Sequence, residues 1–383
     1  MHAGEDFDRY LASLEQYAVG VKSRMRDERP LAIGLWLSAR TASQILIDNR
    51  LAELGAFLES NGLRAFTING FPYGNFHADT VKYQVYQPDW SRPERLDYTV
   101  NLIRILARLM PEESQAGIST LPLGWPGHAF DYKKAAENLI RVAELLRVNE
   151  LRTGKLIHLD IEPEPGCILG SSGDVVSFFK NYLLPGRVEN DILRYIRVCH
   201  DVCHASVVFE GQQEAIANYV ANGIRIGKVH VSSAIEAEID SDGSREILEQ
   251  LKSFQEDRYL HQTYLKQADG IMSYDDLPQA IDDVGTGREG TLRCHFHVPV
   301  FIEEFGHLRT TRQEIVDCLD SIYQMSDCRD FEVETYAWTV LPDELKADDL
   351  AGGIARELLW TRERLEKLAA SEQPANEAVS LRT

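Results

Sequence analysis

Cysteine, basic charge and long apolar runs are all scarce in this sequence of 383 residues. No apolar run approaches the roughly 20 residues that a membrane-spanning helix needs, and the acidic N-terminus lacks the apolar segment of a secretion signal. The cysteines are too sparse and uneven for the disulfide framework of a small secreted domain, so we expect reduced thiols. They are Cys167, Cys199, Cys203, Cys294, Cys318 and Cys328. We therefore expect a cytoplasmic protein that does not insert into membranes.

Acidic residues outnumber basic ones, with 60 Asp and Glu against 40 Lys and Arg, which gives a formal net charge of −20. Such a chain repels the phosphates of nucleic acid unless basic residues cluster locally, and the sequence has no basic run. We therefore expect a small-molecule substrate and no nucleic-acid partner, and we leave open whether the chain forms an oligomer. The hydrophobic content of 44% is ample for a large core.

Short apolar runs alternate with longer stretches of helical periodicity along most of the chain. Eight of these runs predict strands, and a predicted helix follows each one. Such an alternation requires a mostly parallel sheet with right-handed crossovers, and eight repeats is the number that closes an α/β barrel, or TIM barrel. The predicted strands are Leu31–Ser38, Arg64–Asn69, Ser114–Thr120, Lys155–Ile161, Ile192–Cys199, Ile224–Val231, Gly290–Val298 and Phe331–Trp338.

An open, doubly wound sheet is the alternative architecture. It usually has a glycine-rich phosphate-binding turn after its first strand, whereas this chain continues from Ser38 into Ala39-Arg40-Thr41. We therefore predict a helical extension over residues 1–29 and a single (β/α)8 barrel over residues 30–370. Residues 371–383, which are rich in Ser, Glu, Pro, Ala and Asn, are predicted to be a disordered tail.

Potential metal ligands lie at the ends of the five consecutive predicted strands from the fourth to the eighth. The carboxyl ends of barrel strands form the active-site face of this architecture, and a charged residue within a buried strand is otherwise costly. For a single such residue, a buried structural histidine or a solvated carboxylate is the simpler interpretation. Five in a row at equivalent positions favour a functional site. They are Glu162, Asp201 with His204, His230, His295 with His297, and Glu334.

The stretch Cys199–His204 concentrates these side chains most densely. Asp201 and His204, three residues apart where a strand gives way to its loop, can turn toward one cation. His200 has the opposite parity and is predicted to face the helical layer, while the two cysteines are expected to pack. Imidazole and carboxylate ligands without clustered thiolates are typical of Zn²⁺, Mn²⁺ or Co²⁺, and we predict one or two ions per chain.

These residues resemble the metal site of the xylose isomerase-like barrels, the superfamily of sugar isomerases and epimerases and of endonuclease IV. The resemblance lies in Glu162 after the fourth strand, Asp201-x-x-His204 after the fifth, His230 on the sixth and Glu334 on the eighth. It implies one divalent ion between Glu162, Asp201, His230 and Glu334, with His204 lying beside the site. It also implies that the two glutamates exchange protons with the substrate.

A second group of residues is similar to the endonuclease IV branch of that superfamily. His295-x-His297 corresponds to its Asp-x-His pair, and His77 to its early histidine. The third strand, however, ends in Ser119-Thr120 where that branch has a histidine. One or two ions therefore fit this chain better than a cluster of three.

Over roughly residues 30 to 365, the chain most resembles the EboE-type "metabolite traffic" proteins. The resemblance runs through residues 158–166, Cys199–His204, Cys294–Pro299 and Glu332–Trp338. It implies the barrel and the metal site, but no defined reaction, so the chemistry has to follow from the residues.

The residues predict a metal-dependent isomerase or epimerase that acts on a sugar-like hydroxy-carbonyl metabolite, with or without a phosphate. Glu162 and Glu334 would remove a proton from one face of the substrate and return it to the other. One alternative is a metal-dependent phosphoesterase with endonuclease IV-like chemistry on a small substrate, in which His295, His297 and His77 hold extra ions. Another is a binding protein without activity that uses the metal to hold a metabolite.

Three further residues are candidates for contact with the substrate. His77, in the aromatic loop after the second strand, and His128, after the third, could cover a substrate or could pack their loops against solvent. Arg293 could bind a substrate phosphate or carboxylate, or could form a buried ion pair with Asp160 or Glu332.

Overall fold

The computed structural model describes residues 6–76, 78–112, 114–127, 130–186, 189–240, 244–346 and 349–372. Within these ranges the strands belong to two sheets. They are β1 Leu31–Trp36, β2 Leu63–Asn69, β3 Gln115–Thr120, β4 Leu156–Ile161, β5 Ile196–Asp201, β6 Ile226–Val231, β7 Ile235–Ile239, β8 Thr263–Gln267, β9 Gly270–Tyr274, β10 Gly290–Cys294, β11 Glu304–Phe305, β12 Leu308–Thr310 and β13 Phe331–Val333.

Seven of these strands form a parallel sheet in the order β1-β2-β3-β4-β5-β6-β13. Its two ends approach each other at Gly34 of β1, where a Cβ atom would lie 1.7 Å from Oε1 of Glu332 on β13. The sheet therefore wraps into a nearly closed barrel, and the predicted α/β barrel is confirmed. Buried aliphatic residues such as Leu35, Ile68 and Ile118 fill its strands.

Helices surround the parallel sheet and bury their apolar faces against it. Helix Tyr132–Thr153 shows how the sequence sets their limits, because the Asp131 side chain accepts a hydrogen bond from the Lys134 N–H and Gly154 ends the helix at φ 69°. The α-helices are Phe7–Ser13, Gly20–Met25, Ala39–Ile45, Arg50–Ser60, Pro93–Leu109, Tyr132–Thr153, Ser172–Phe178, Glu189–Tyr195, Val202–Val207, Gln212–Ala221, Ser244–Lys252, Leu277–Val284, Arg312–Met325 and Leu350–Glu372. Shorter helical segments are Leu14–Val19, Lys82–Tyr86, Phe179–Leu183, Tyr336–Thr339 and Asp343–Leu345.

The six strands between β6 and β13 form a separate antiparallel sheet in the order β11-β12-β7-β10-β8-β9. The prediction that Gly290–Val298 is the seventh barrel strand was wrong, because β10 pairs antiparallel with β7 and β8. This sheet has its own core around Leu265, Leu292 and Phe296. The described part of the barrel accordingly has seven strands, and the antiparallel sheet occupies the chain between the sixth and the last.

Both ends of the described chain pack against the barrel. Phe7, Tyr10 and Leu14 of the N-terminal helical segment are fully buried in the main core. The last helix continues to Glu372, two residues into the predicted disordered tail, and the rest of that tail lies outside the described residues. None of the described helices combines the length and the apolar character needed to cross a membrane.

Candidate metal centre

Four predicted ligands meet inside the carboxyl end of the barrel. Glu162 follows β4, Asp201 ends β5, His230 lies on β6 and Glu334 follows β13, and one ligand atom of each lies within 4.8 Å of the others. Nδ1 of His230 is 3.1 Å from Oε1 of Glu162, 2.9 Å from Oε2 of Glu334 and 3.6 Å from Oδ2 of Asp201. All four side chains are buried. We call these four residues the upper layer.

Strand register brings the upper layer together. Asp201 lies opposite His230 in the pairing of β5 with β6, and the Glu334 N–H continues the next pairing by donating to the Val231 carbonyl. Asp201 also begins helix Val202–Val207, since its Oδ1 accepts from the His204 N–H at 2.8 Å and from the Ser232 hydroxyl at 2.9 Å. With Oδ1 occupied in this way, Oδ2 of Asp201 is left to face the cluster.

The upper layer fits a divalent cation. Oε2 of Glu162 and Oδ2 of Asp201 are buried, and neither has a hydrogen-bond partner in the described part of the chain. Buried carboxylate oxygens without donors are costly, and a cation bound between these residues would satisfy both. Three carboxylates and one imidazole form the kind of mixed oxygen and nitrogen donor set that binds such ions.

The raised pKa of His230 also indicates that the upper layer lacks positive charge. Burial opposes protonation of this imidazole, but the carboxylates of Glu334 and Glu162 outweigh it and raise the His230 pKa well above its usual value. A proton on His230 therefore supplies positive charge where a cation would otherwise lie. Metal binding needs the neutral imidazole, so the ion and this proton compete.

Three further predicted ligands form a histidine group next to the upper layer. Nδ1 of His204 lies 2.9 Å from the Pro163 carbonyl, and Nδ1 of His295 lies 2.6 Å from Oε1 of Gln262. Both Nδ1 atoms must donate, because both partners are acceptors, so each neutral ring has its lone pair on Nε2. Yet these two Nε2 atoms are only 3.1 Å apart. A proton or a cation must therefore lie between them.

The pKa values of the histidine group agree with one shared charge. Burial opposes charge on His204, but Asp201 and Glu164 outweigh it and raise the His204 pKa. Burial together with the neighbouring His204 lowers the His295 pKa well below its usual value, and burial also lowers that of His297. His297 donates from Nδ1 to the Glu334 carbonyl at 2.7 Å, and its Nε2 has no partner among the described residues. His204 can form a ligand group with Asp201 and His297, or with Glu164 and His295.

Glu164 is a site residue that the sequence reasoning missed. Its Oε1 accepts hydrogen bonds from the Tyr86 hydroxyl at 2.7 Å and from Nε2 of Gln262 at 3.0 Å. Burial raises the Glu164 pKa to about 6. The signal was present, since the alternation that selects Glu162 continues across Pro163 to Glu164. Tyr86 ends a short helical segment and Gln262 lies in a loop, so no periodic pattern marks either residue.

A second set of buried charges lies deeper in the barrel. Nζ of Lys228 is 2.6 Å from Oε2 of Glu332, which is also 3.2 Å from Nε2 of His230. Nδ1 of His158 lies 2.6 Å from Oδ1 of Asp160. Burial opposes ionisation of Glu332, but Lys228 and His230 outweigh it and lower the Glu332 pKa to about 2. We call Lys228, Glu332, His158 and Asp160 the lower layer.

A cleft opens above the upper layer. Its floor includes Glu162, Glu164 and Glu334 together with the histidine group, and aromatic side chains form much of its walls. The Asn69 side chain lies at the edge of the floor and donates to Oε1 of Glu334 at 3.1 Å. A small molecule in this cleft would therefore reach the two glutamates of the upper layer and the histidine group from one side.

Arg293 does not reach the cleft, and the prediction that it contacts the substrate or pairs with Asp160 or Glu332 was wrong. Its guanidinium pairs with Glu236 at 2.8 Å and with Glu314 at 3.3 Å. It also lies over the ring of Phe209. The reason is that β10 belongs to the antiparallel sheet, so its side chains are not directed along the barrel axis.

The remaining predictions concern residues outside the cluster. His200 is confirmed to face the helical layer, because its Nε2 lies 2.8 Å from Oε1 of Gln212 on helix Gln212–Ala221. All six cysteines are free and buried, and burial raises the Cys199 pKa to about 12, which keeps that thiol protonated. His77 and His128 lie outside the described residues.

Comparison with solved structures finds similar chains. A xylose isomerase-like TIM barrel protein from Mycobacterium smegmatis in complex with magnesium matches with a TM-score of 0.51 and 14% identity, over 94% of this chain and 90% of that one. A xylose isomerase domain containing protein from Salmonella typhimurium has a TM-score of 0.45 and 13% identity over 91% of both chains. The IolI protein with a bound zinc atom has a TM-score of 0.46 and 11% identity over 92% of this chain and 93% of that one. No protein-family model and no curated protein sequence matches.

Proposed function

Starting from its xylose isomerase-like TIM-barrel fold, we propose that this protein is a divalent-metal-dependent isomerase or epimerase of a sugar-like hydroxy-carbonyl compound. The observation that carries the proposal is the placement of Glu162 and Glu334. Both are buried, and each has one oxygen about 3 Å from Nδ1 of His230. They follow β4 and β13, which are three positions apart in the seven-stranded sheet, so they reach the cluster from different strands.

Glu162, Asp201, His230 and Glu334 would hold the ion. A bound divalent ion polarises a carbonyl group and stabilises the negative charge that develops on its oxygen. The chain supplies the bases: one glutamate removes the proton from the carbon next to the carbonyl, and the other returns a proton to the opposite face or to the neighbouring carbon. Asn69 holds Oε1 of Glu334 and so orients that carboxylate toward the cleft. Burial of the site keeps competing water away from both carboxylates.

Replacing Glu334 by Gln tests this role. The variant should lose turnover by roughly a hundredfold or more, because an amide cannot take up a proton in general base catalysis. The measurement is exchange of the substrate α-proton with deuterated solvent, over a panel of hydroxy-carbonyl compounds and their phosphates. Glu137→Gln is the matched control, since Glu137 is exposed on a helix on the outside of the barrel. Unchanged exchange in Glu334→Gln, on any compound that the parent turns over, would contradict the assignment.

A metal-dependent phosphoesterase is the second candidate, and the facing Nε2 atoms of His204 and His295 favour it. If an ion rather than a proton lies between them, the chain holds more than one metal, as in two-metal hydrolysis. Elemental analysis of the purified protein separates the two candidates: one ion per chain supports the isomerase, and two or three support the hydrolase. A place in an EboE-type metabolite pathway, and a location in the cytoplasm, belong to the same proposal and rest on the sequence. Absence of turnover in a metal-loaded protein that still binds hydroxy-carbonyl compounds would favour a carrier.

A further inference from the structure

We infer that the substrate is uncharged and carries an apolar, ring-sized group beside its hydroxy-carbonyl function. This inference rests on the proposed function, because it concerns the same cleft, and it narrows the class of substrate. It follows from the side chains that form the cleft walls and from the charge of its lining.

Four aromatic rings form one continuous wall of the cleft. Trp36, Phe76, Tyr259 and Tyr336 come from β1, the loop after β2, the antiparallel sheet region and the segment after β13. The Phe76 ring centroid is 5.2 Å from that of Trp36, 4.8 Å from that of Tyr259 and 5.8 Å from that of Tyr336. We call these four residues the aromatic wall. Four separate parts of the chain contribute to it, so it is a property of the folded cleft and not of one loop.

The aromatic wall begins directly at the metal centre. The Tyr336 ring centroid lies 4.6 Å from that of His297. On the other side of the cleft, Phe71 and Tyr86 have centroids 6.0 Å apart, and Tyr86 lies against Glu164. A substrate with its two oxygens at the upper layer would therefore place its next carbon atoms between aromatic surfaces. Apolar groups gain most from such surroundings, and aromatic faces also bind other rings.

Several polar groups of the walls already bind protein atoms. The Tyr86 hydroxyl donates to Glu164 at 2.7 Å, and the Tyr259 hydroxyl donates to the Phe76 carbonyl at 3.2 Å. A sugar chain with several hydroxyls would compete for these bonds or leave its own hydroxyls unsatisfied, which is costly in a closed site. The wall therefore favours carbon over hydroxyl next to the reacting centre.

The charge of the cleft disfavours a phosphate. Among the described residues of its lining, Lys82 is the one lysine or arginine, and its Nζ lies 2.5 Å from Oδ2 of Asp276. Both side chains of this ion pair are largely buried. Glu162, Glu164 and Glu334 on the floor and Asp201 beside them are four carboxylates, which outnumber the two charges of one divalent ion together with the single charge shared by His204 and His295. A phosphate in this cleft would meet carboxylates and a cation that is already paired.

The experiment measures binding to the full-length protein loaded with Mn²⁺, so that it needs no turnover. Three α-hydroxy ketones serve as probes: dihydroxyacetone, dihydroxyacetone phosphate and 2-hydroxyacetophenone, which has a phenyl ring next to the same function. Enhanced relaxation of the probe protons by the bound Mn²⁺ reports both affinity and closeness to the metal. We expect 2-hydroxyacetophenone to bind roughly tenfold more tightly than dihydroxyacetone, from burial of the ring, and the phosphate to bind no more tightly than dihydroxyacetone.

Two variants locate these preferences in the cleft. Phe76→Ala should reduce the preference for 2-hydroxyacetophenone to roughly threefold or less, because it removes the centre of the aromatic wall. Tyr182→Ala is the matched control, since it truncates an aromatic residue on the outer surface and should leave the preference unchanged. Asp276→Asn should release Lys82 and strengthen phosphate binding several-fold. The amide can keep its oxygen at Oδ1, where Asp276 accepts from the His261 and Leu277 N–H groups.

The outcomes separate this inference from the proposed function. If Mn²⁺ binds and dihydroxyacetone phosphate is the tightest of the three probes in the parent protein, the inference is overturned while the metal site stands. If the parent shows no preference for the phenyl compound, the aromatic wall does not select the substrate and the inference fails. If Glu334→Gln leaves proton exchange unchanged, the proposed function fails, whichever probe binds best. A parent preference for 2-hydroxyacetophenone that Phe76→Ala removes supports the inference.

Discussion

The two layers of buried charge in the barrel differ in how their negative charge is balanced. In the lower layer, Lys228 lies against Glu332 at 2.6 Å, so the chain supplies its own cation. In the upper layer, Glu162, Asp201 and Glu334 surround His230, and two of their oxygens have no partner within the described chain. Residues of the same type that lie a few ångströms apart on the same strands therefore have different roles. Lys228 balances Glu332 within the chain, whereas an ion from outside would balance the upper layer. In the lower layer, Oδ2 of Asp160 and Nε2 of His158 also have no hydrogen-bond partner among the described residues.

The comparison teaches how to separate structural charges from ligands inside a barrel. Burial does not distinguish the layers, because residues of both are almost fully inaccessible. Pairing does, because a structural carboxylate such as Glu332 has a cationic partner and a pKa lowered to about 2. Since breaking a buried pair and removing a metal ligand have opposite effects on the metal-free fold, substitution can test the distinction.

Lys228→Met should have the largest effect. It leaves the Glu332 carboxylate buried without its cation, so the free energy of unfolding should fall by about 3–5 kcal/mol. Adding Glu332→Leu should restore much of the loss, because the buried charge disappears with its partner. Chemical denaturation of the metal-free protein measures both. A single variant as stable as the parent would show that the lower layer is not held by this pair.

Asp201→Asn should weaken metal binding without destabilising the metal-free protein, which is the opposite pattern from Lys228→Met. The amide can keep an oxygen at the Oδ1 position, which caps helix Val202–Val207, and replaces only the oxygen that faces the cluster. Metal affinity should fall by roughly a hundredfold or more, about 2.7 kcal/mol, because a charged ligand is lost. The metal-free protein should be at least as stable as the parent, since one unbalanced negative charge is gone. Metal titration and denaturation on the same samples decide the matter, and a destabilised metal-free variant would place Asp201 among the structural charges.

Metal binding should also weaken as the pH falls. The His230 pKa is raised, so near neutral pH the metal-free site holds a proton on the nitrogen that the ion needs. Each unit of pH below that raised pKa should cost about tenfold in affinity, or about 1.4 kcal/mol, since one proton must leave. Calorimetric titration in buffers of different ionisation enthalpy measures the proton release. Affinity that does not change between slightly acidic and slightly alkaline pH would mean that His230 is not the ligand.

Glu357 is a third kind of buried carboxylate, one that hydrogen bonds stabilise. Its substitution should have the smallest effect. It accepts hydrogen bonds from Thr335, Trp338 and the Val300 N–H, but burial outweighs them and raises its pKa from 4.5 to about 7. A raised pKa means that its contribution to stability is fully present below about pH 4.5 and is lost as the pH rises through about 7.

Glu357→Gln should remove this part of the pH dependence. Between about pH 5 and pH 8 the parent should lose roughly 2–3 kcal/mol more stability than the variant. Denaturation at several pH values, with the variant subtracted from the parent, isolates Glu357 from the other groups that titrate. Identical pH profiles would show that Glu357 is ionised throughout.

The parallel half of the fold and most of the candidate site could be predicted from the sequence. Strands buried on both faces appear as continuous apolar runs, and a charged residue at the end of such a run is conspicuous. That is why Glu162, Asp201, His230 and Glu334 could be selected without a structure. Their convergence follows from parallel strands ending on the same side, which the alternation of strands and helices already implies.

The antiparallel sheet could not be predicted in the same way. Strands β7, β8, β9 and β10 are five residues long and half-buried, so their patterns are short and ambiguous. Asp269-Gly270, where the turn after β8 enters β9, is a hairpin signal that the alternation of strands and helices obscured. His295 and His297 reach the site for a different reason from the predicted one, because they follow a strand of this sheet and not of the barrel.

Three glycines lie where the buried carboxylates leave no room for a side chain. A Cβ at Gly34 would lie 1.7 Å from Glu332, one at Gly117 would lie 2.1 Å from Asp160, and one at Gly227 would lie 2.0 Å from the same carboxylate. Each glycine therefore leaves the space that a larger side chain on another strand occupies. In evolution, the combined volume of the two side chains should therefore stay constant at each pair of positions: 34 with 332, 117 with 160, and 227 with 160. A relative that gains a side chain at position 34, 117 or 227 should have lost one at position 332 or 160, so the interior of the barrel changes by exchange between strands and not one residue at a time.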